Sequence, residues 1–194
     1  MAELLLARTA LGGATAAELR TRGGAAIVLL RELPASTMLD VRLDPADVAM
    51  LAAVQKATGL DLPQTPGKFS AHAERSALWF GPDQWLIVAQ AGEAGALTRT
   101  LDAVAGSAVD VSDLRAEFEL AGPLAADVLR KGCGIDLHPR MFGPGSCALT
   151  SLARVRVAMR QTDERPGYRL LVERSVALYL WDWLIDAMTE FTGD

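Results

Sequence analysis

The stretch from Val109 to Pro139 constrains the fold more than any other part of the chain. Val109 and Val111 alternate with Asp110 and Ser112, the period of two that marks a half-buried strand. Ser112-Asp113-Leu114-Arg115 is a polar bend that leads into a second alternating run, Phe118-Glu119-Leu120. Gly122-Pro123 stops that strand, and proline suits a helix's first turn because the N–H it lacks would have no partner there. Leu124, Ala125, Val128 and Leu129 then recur at helical spacing until Gly132 and Gly134 end the helix. The segment reads strand, bend, strand, helix, and nothing in it has the look of an active site.

Similar punctuation organises the rest. Residues 1–24 read as an N-terminal arm with one short strand at Leu4–Ala7. Ile27–Leu33 is a β-branched and leucine-rich strand stopped by Pro34. Asp44-Pro45-Ala46-Asp47 opens a helix with Asp44 as its cap, and Gly59 ends it. Phe69–Glu74 alternates as a strand. Leu78–Phe80 and Trp85–Ala89 form a hairpin about Gly81-Pro82-Asp83-Gln84. Ala94–Val104 is a helix, Cys147–Arg160 one or two strands, Tyr168–Glu173 another strand, and Ser175 begins a C-terminal helix. The order is roughly one α+β unit used twice, with antiparallel sheets covered by helices in the split βαβ (ferredoxin-like) manner. The expected organisation is a single domain over 1–194, with sub-lobes at about 25–106 and 107–194.

At 194 residues such a chain can bury about 70% of its unfolded surface and needs no staples. Its hydrophobic fraction of 51% and mean hydropathy of +0.20 leave apolar surface that a membrane or another protein could take up. No run approaches the ~20 apolar residues that cross a bilayer, and the amino terminus lacks the basic segment of a signal peptide. A cytoplasmic protein with two free thiols, Cys133 and Cys147, is therefore expected. The net charge of −5 and the absence of a basic stripe argue against nucleic acid.

Reactive chemistry is sparse. His72 and His138 are isolated, without the clustered ligands a metal needs. Cys133 sits at a helix C-terminus, where the dipole disfavours a thiolate, and reads as structural. Asp110, Asp113 and Glu117 read as turn chemistry, with Asp113 accepting from turn amides. The glycines at 23–24, 132–134 and 143–145 make no phosphate-binding loop. The expectation is no catalytic residue, no cofactor-binding residue and no metal ligand in this chain.

The C-terminal helix carries the strongest surface signal. From Val176, its apolar residues fan over roughly 220°, and Trp181 and Trp183 point about 160° apart. A helix on one sheet needs an arc of about 100° or a little more. The surplus requires a second cover, either a loop of this chain or a partner. Trp79 and Trp85 pose the same choice between core anchors and interface residues.

Phe118-x-Leu120-x-Gly122-Pro123-x-Ala125 with Leu129 and Asp110-x-Ser112 resembles the folate-binding domain of glycine-cleavage T-proteins and their YgfZ- and TrmE-type relatives. Lys131-Gly132-Cys133, Asp136-Leu137-His138-Pro139, the run Trp79–Leu86 and the run Arg174–Trp181 narrow the resemblance to the gamma subunit of heterotetrameric sarcosine oxidase. It is densest from Leu78 onward. After Lys131-Gly132-Cys133 the YgfZ-type continuation is replaced by Gly134-Ile135-Asp136, so that family's function does not transfer. The resemblance implies a T-protein-like α+β fold and a non-catalytic subunit docked on alpha, beta and delta subunits. The complex it implies converts sarcosine, oxygen and tetrahydrofolate to glycine, hydrogen peroxide and 5,10-methylenetetrahydrofolate. It also places FAD, FMN, NAD, tetrahydrofolate and zinc in the other subunits. A stand-alone folate-binding or aminomethyltransferase-like protein is the alternative, and an unrelated scaffold a further one.

Overall fold

The computed structural model describes residues 9–12, 16–20, 26–162 and 167–191. The strand expected at Leu4–Ala7 lies outside them. In chain order the first elements are β1 (Ala16–Arg20), β2 (Ala26–Glu32), β3 (Thr37–Arg42), α1 (Val48–Thr58) and β4 (Phe69–His72). Next come β5 (Arg75–Gly81), β6 (Gln84–Ala89), α2 (Ala94–Asp102) and β7 (Ser107–Asp110). A 3-10 turn at Ser112–Leu114 precedes β8 (Arg115–Ala121), α3 (Ala125–Arg130), β9 (Cys147–Leu152), β10 (Val155–Thr162), β11 (Gly167–Glu173) and α4 (Ala177–Thr189).

The strands form two antiparallel sheets, β1-β2-β8-β11-β10-β9 and β4-β5-β6-β3-β7. Alternation along each strand assigns its two faces. In β6, Trp85, Ile87 and Ala89 face α1 and α2, while Leu86 and Val88 face the other sheet. In β11, Tyr168, Leu170 and Val172 meet α3 and α4, while Leu171 faces the gap between sheets. The result is four layers, helix–sheet–sheet–helix, with the α+β character expected. It also explains why Trp85–Ala89 is an unbroken apolar run, since both faces of β6 are buried.

Sheet membership crosses the expected division near residue 107. β2 pairs with β8 rather than with β3, its neighbour in sequence. Aligned by position, β4-β5-β6-β3-β7 matches β9-β10-β11-β8-β2. Each unit is a strand, a helix, a three-strand meander and a second helix, followed by a closing strand. In the first unit β7 follows α2 directly. In the second, the closing strand comes from the front of the chain, so the unit is circularly permuted. Leu33 N–H donates to Glu117 O at 2.9 Å as the chain leaves this sheet.

Local capping also departs from expectation. Asp47, not Asp44, caps α1, its carboxylate accepting from Met50 N–H at 2.9 Å. Asp44 instead accepts from Ala46 N–H and forms the turn one step earlier. Gly59 ends α1 at φ +77 as expected. Two hairpin turns carry no glycine signal: Ala73 between β4 and β5 (φ +51), and Ala153-Arg154 between β9 and β10 (φ +50 and +69). The phase of β7 is reversed from that expected, with Ala108 buried and Val109 53% exposed. Among the described residues β7 is an edge strand paired with β3 alone, and its inward register is set by that partner.

Gly122 is required by both geometry and space. Its φ is +116, and a Cβ there would stand 2.5 Å from Ile27 O on the permuted strand β2. Gly122→Ala is expected to destabilise the protein by about 2–4 kcal/mol in urea titrations. Gly134→Ala, with open space at its Cβ, is expected to stay within about 0.5 kcal/mol.

Candidate functional site

Among the described residues, the buried carboxylates Glu117 and Glu32 mark two regions. The first is the seam between the sheets. Met38, Leu78, Leu86, Val88, Ala158 and Leu171 form its apolar centre. At its edge Glu117 and Arg160, both largely buried, pair at 3.5 Å, and the guanidinium also lies 5.5 Å from the Phe69 ring of the opposite sheet. Burial lowers the pKa of Arg160, and the Glu117 carboxylate pulls it back up. The same seam is stitched by backbone, with Cys147 N–H on Gly67 O at 2.8 Å and Phe69 N–H on Gly145 O at 3.3 Å.

The second region is a crevice of about 160 Å³ at the opposite end of the seam, where the chain crosses twice between sheets. Its walls include Glu32, Ser36, Asp110, Ser112, Arg115 and Glu117. Glu32 is only 5% exposed; its Oε1 accepts from Leu11 N–H at 3.0 Å, and its Oε2 has no partner. Ser36 Oγ and Arg115 Nη1 are likewise buried without partners. The Arg115 guanidinium sits 5.7 Å from the Phe80 ring centroid. Asp110 Oδ1 accepts from the Ser112 hydroxyl at 2.5 Å and from Ser112 N–H at 3.0 Å, while Ser112 Oγ accepts from Met38 N–H at 3.0 Å. Turn chemistry is thus present here, but Asp110 performs it and Asp113 is exposed. Glu117 is no turn residue; it belongs to the ion pair of the seam.

The remaining candidates are scattered. His72 is exposed on β4, its ring beside Gly59. His138 is exposed in a loop, its N–H donating to Asp136 Oδ1 and its Nδ1 accepting from Arg140 N–H. Cys133 is half-buried after α3, its backbone bridging to Leu152, and Cys147 is buried in the seam. Among the described residues no group of three His, Cys, Asp or Glu side chains could hold a metal ion. Among them, too, no helix is long and apolar enough to cross a membrane.

The wide apolar arc of α4 finds its second cover inside the chain. Trp181 is buried edge-on against Phe118, ring centroids 5.5 Å apart. Trp183 lies directly over Gly132, where an added Cβ would stand 2.6 Å from the indole, with the Ala153 turn beside it. Trp85 is a core anchor whose indole N–H donates to Pro63 O at 2.8 Å, and Trp79 is partly buried at the seam. Leu178 and Tyr179, at the start of α4, remain exposed.

The family model described as the sarcosine oxidase, gamma subunit family matches residues 42–190. The chain belongs to that family. The gamma subunit from an Arthrobacter species is 41% identical over 185 residues, spanning 91% of this chain and 88% of the relative. That from Corynebacterium sp. strain U-96 is 38% identical over 183 residues, spanning 93% and 88%. A solved chain of the heterotetrameric sarcosine oxidase from Corynebacterium sp. U-96, in complex with pyrrole 2-carboxylate, superposes with a TM-score of 0.81 at 37% identity, covering 91% of this chain and 90% of that one. An aminomethyltransferase T of the glycine cleavage system from Bartonella henselae superposes with a TM-score of 0.57 at 17% identity, covering 79% and 44%. At that identity the second likeness concerns the fold alone, and it agrees with the T-protein-like architecture expected.

The two cysteines of this gamma-family chain differ sharply in environment. Burial pushes the Cys147 thiol up to about 11 from 9.0, and its Sγ donates to Lys68 O at 3.0 Å. Below pH 9 the thiol is protonated in both folded and unfolded chains. Between pH 9 and about 11 only the unfolded thiol ionises, so stability falls as pH rises through that window. In urea titrations, Cys147→Ala is expected to show a shallower loss of stability between pH 9 and 11 than the parent chain. Alkylation at pH 8 is expected to label half-buried Cys133 well ahead of Cys147, with mass spectrometry of the peptides as the readout.

Proposed function

We propose that this chain serves as the gamma subunit of a heterotetrameric sarcosine oxidase and contributes by contact with its companions rather than by chemistry of its own. The observation that carries this reading is the superposition over about nine-tenths of both chains on a member of such a complex. Coverage of that extent is too large to leave out either lobe. The complex so formed would oxidise sarcosine with oxygen and pass the one-carbon unit to tetrahydrofolate, yielding glycine, hydrogen peroxide and 5,10-methylenetetrahydrofolate. In this reading FAD, FMN, NAD, tetrahydrofolate and zinc are held by the alpha, beta and delta subunits, and the assembly is cytoplasmic. The scattering of His72, His138, Cys133 and Cys147 over separate elements supports a chain without a reacting centre of its own. A stand-alone folate-binding or aminomethyltransferase-like role has only the T-protein fold behind it.

Co-expression with the other oxidase subunits tests the proposal. An affinity tag on this chain is expected to retain alpha, beta and delta subunits in equal stoichiometry through gel filtration. A tagged chain that elutes alone while the others assemble without it would reject the subunit reading.

A further inference from the structure

Helix α4 buries Leu180, Trp181, Leu184, Ala187 and Met188 and turns a face of different character outward. Leu178 is 61% exposed on that face and Tyr179 49%. At about 100° per residue, both fall with exposed Asp182 and Asp186 inside an arc of about 100°. Tyr179 is exposed without being loose. Its hydroxyl donates to Ala153 O at 3.0 Å, which ties the phenol ring to the β9–β10 turn. A fixed, exposed aromatic ring loses little freedom when a second surface covers it.

The carboxylates beside it are poorly served by their own helix. No basic residue occurs in α4, and its last turn, where the macrodipole favours a cation, has none. Asp182, Asp186 and Glu190 follow one another at intervals of four, a spacing at which like charges repel. Lys131 pairs with Glu190 and donates to Ala187 O at 2.5 Å. Among the described residues no cation pairs with Asp182 or Asp186. A positive charge laid on this face would relieve both the repulsion and the unfavourable dipole. Asp182 stands one turn after Tyr179 on the same side, so a single guanidinium can lie on the ring and reach the carboxylate. Arginine suits that notch better than lysine, because its flat head stacks and pairs in one plane. We propose that the outer face of α4 docks an arginine-bearing segment of a companion subunit, one guanidinium held between Tyr179 and Asp182, a second cation on Asp186 and an apolar side chain on Leu178. The proposal rests on the subunit reading and adds to it the surface used and the chemistry of the partner.

Exchange on the assembled complex tests this. The complex is held through a tag on this chain and washed with excess untagged parent chain, and the rate at which the companions leave is followed. The double variant Asp182→Asn, Asp186→Asn is expected to release them about tenfold faster at low ionic strength, with the difference shrinking as salt screens the parent's ion pairs. Tyr179→Ala is expected to release them about tenfold faster, and Tyr179→Phe, which keeps the ring, within about threefold of the parent. Val48→Glu, 74% exposed on the opposite outer layer, is expected to match the parent. Thermal melts check that each variant is folded. Release from the α4 variants at the parent's rate, or an equal acceleration by Val48→Glu, would overturn the proposal and leave the subunit reading intact. A dimer of the isolated chain that the double variant dissolves would give the face to a second copy and also overturn it. A parent chain that retains no companion would reject the subunit reading and this proposal together.

Discussion

Leu78, Leu86 and Leu171 meet across the gap between the two sheets, and their removal from water makes one body of two helix-covered lobes. Burying each leucine contributes about 1.5–3 kcal/mol, so three of them outweigh anything the polar groups in the seam can add. The Glu117–Arg160 pair nearby is close to break-even once desolvation is counted. Its effect is on register within the six-stranded sheet: a slip along β8-β11-β10 would leave one charge buried alone. The backbone stitch at Gly67 and Cys147 fixes one end of the seam, and the two chain crossings fix the other. The crevice exists because those crossings turn at a sheet end rather than across an apolar face.

The second lobe depends on that seam in a further way. Its closing strand, β2, is delivered from the front of the chain, so neither half of the sequence can complete both sheets without the other. Glycine at position 122 lets β2 run within van der Waals limits of the β8–α3 turn. This exchange could not be read from local pattern. Ile27–Leu33 announces a strand, but its hydrophobicity suits either sheet, and only the partner β8 decides which. The reversed phase of β7 has the same origin. Val109 and Val111 look like the inward positions, yet Ala108 points to the helices because β3 sets the register. By contrast, Gly59, the Gly81–Gln84 turn and the strand–bend–strand–helix joint were legible, because each is a local backbone requirement.

Function was legible through the joint occurrence of motifs, and much less through surface physics. The apolar surplus of α4 calls for a second cover from a loop of this chain or from a partner, and Gly132 with the Ala153 turn covers Trp183 from within the chain. An arc computed on one helix cannot register a cover supplied by a glycine fifty residues away. Interfaces between subunits are only modestly more apolar than other surface, so exposed Leu178, Tyr179 and Leu114 do not by themselves define a docking face. The crevice was invisible in sequence for a related reason. Glu32 ends β2, Ser36 lies in the connection to β3 and Arg115 begins β8, and only the double crossing gathers them. Asp110 and Asp113 are equally suited to the turn by sequence, and the Ser112 hydroxyl, donating to Asp110, selects Asp110.

Family membership and proposed role meet in one requirement: this chain should be needed in the assembly and inert outside it. Sarcosine-dependent oxygen consumption, measured on the purified chain and on the reconstituted complex under the same conditions, addresses that requirement most directly. The account predicts turnover by the complex and none above buffer by the chain, with or without added flavin and tetrahydrofolate. Sarcosine oxidation by the chain alone would contradict it.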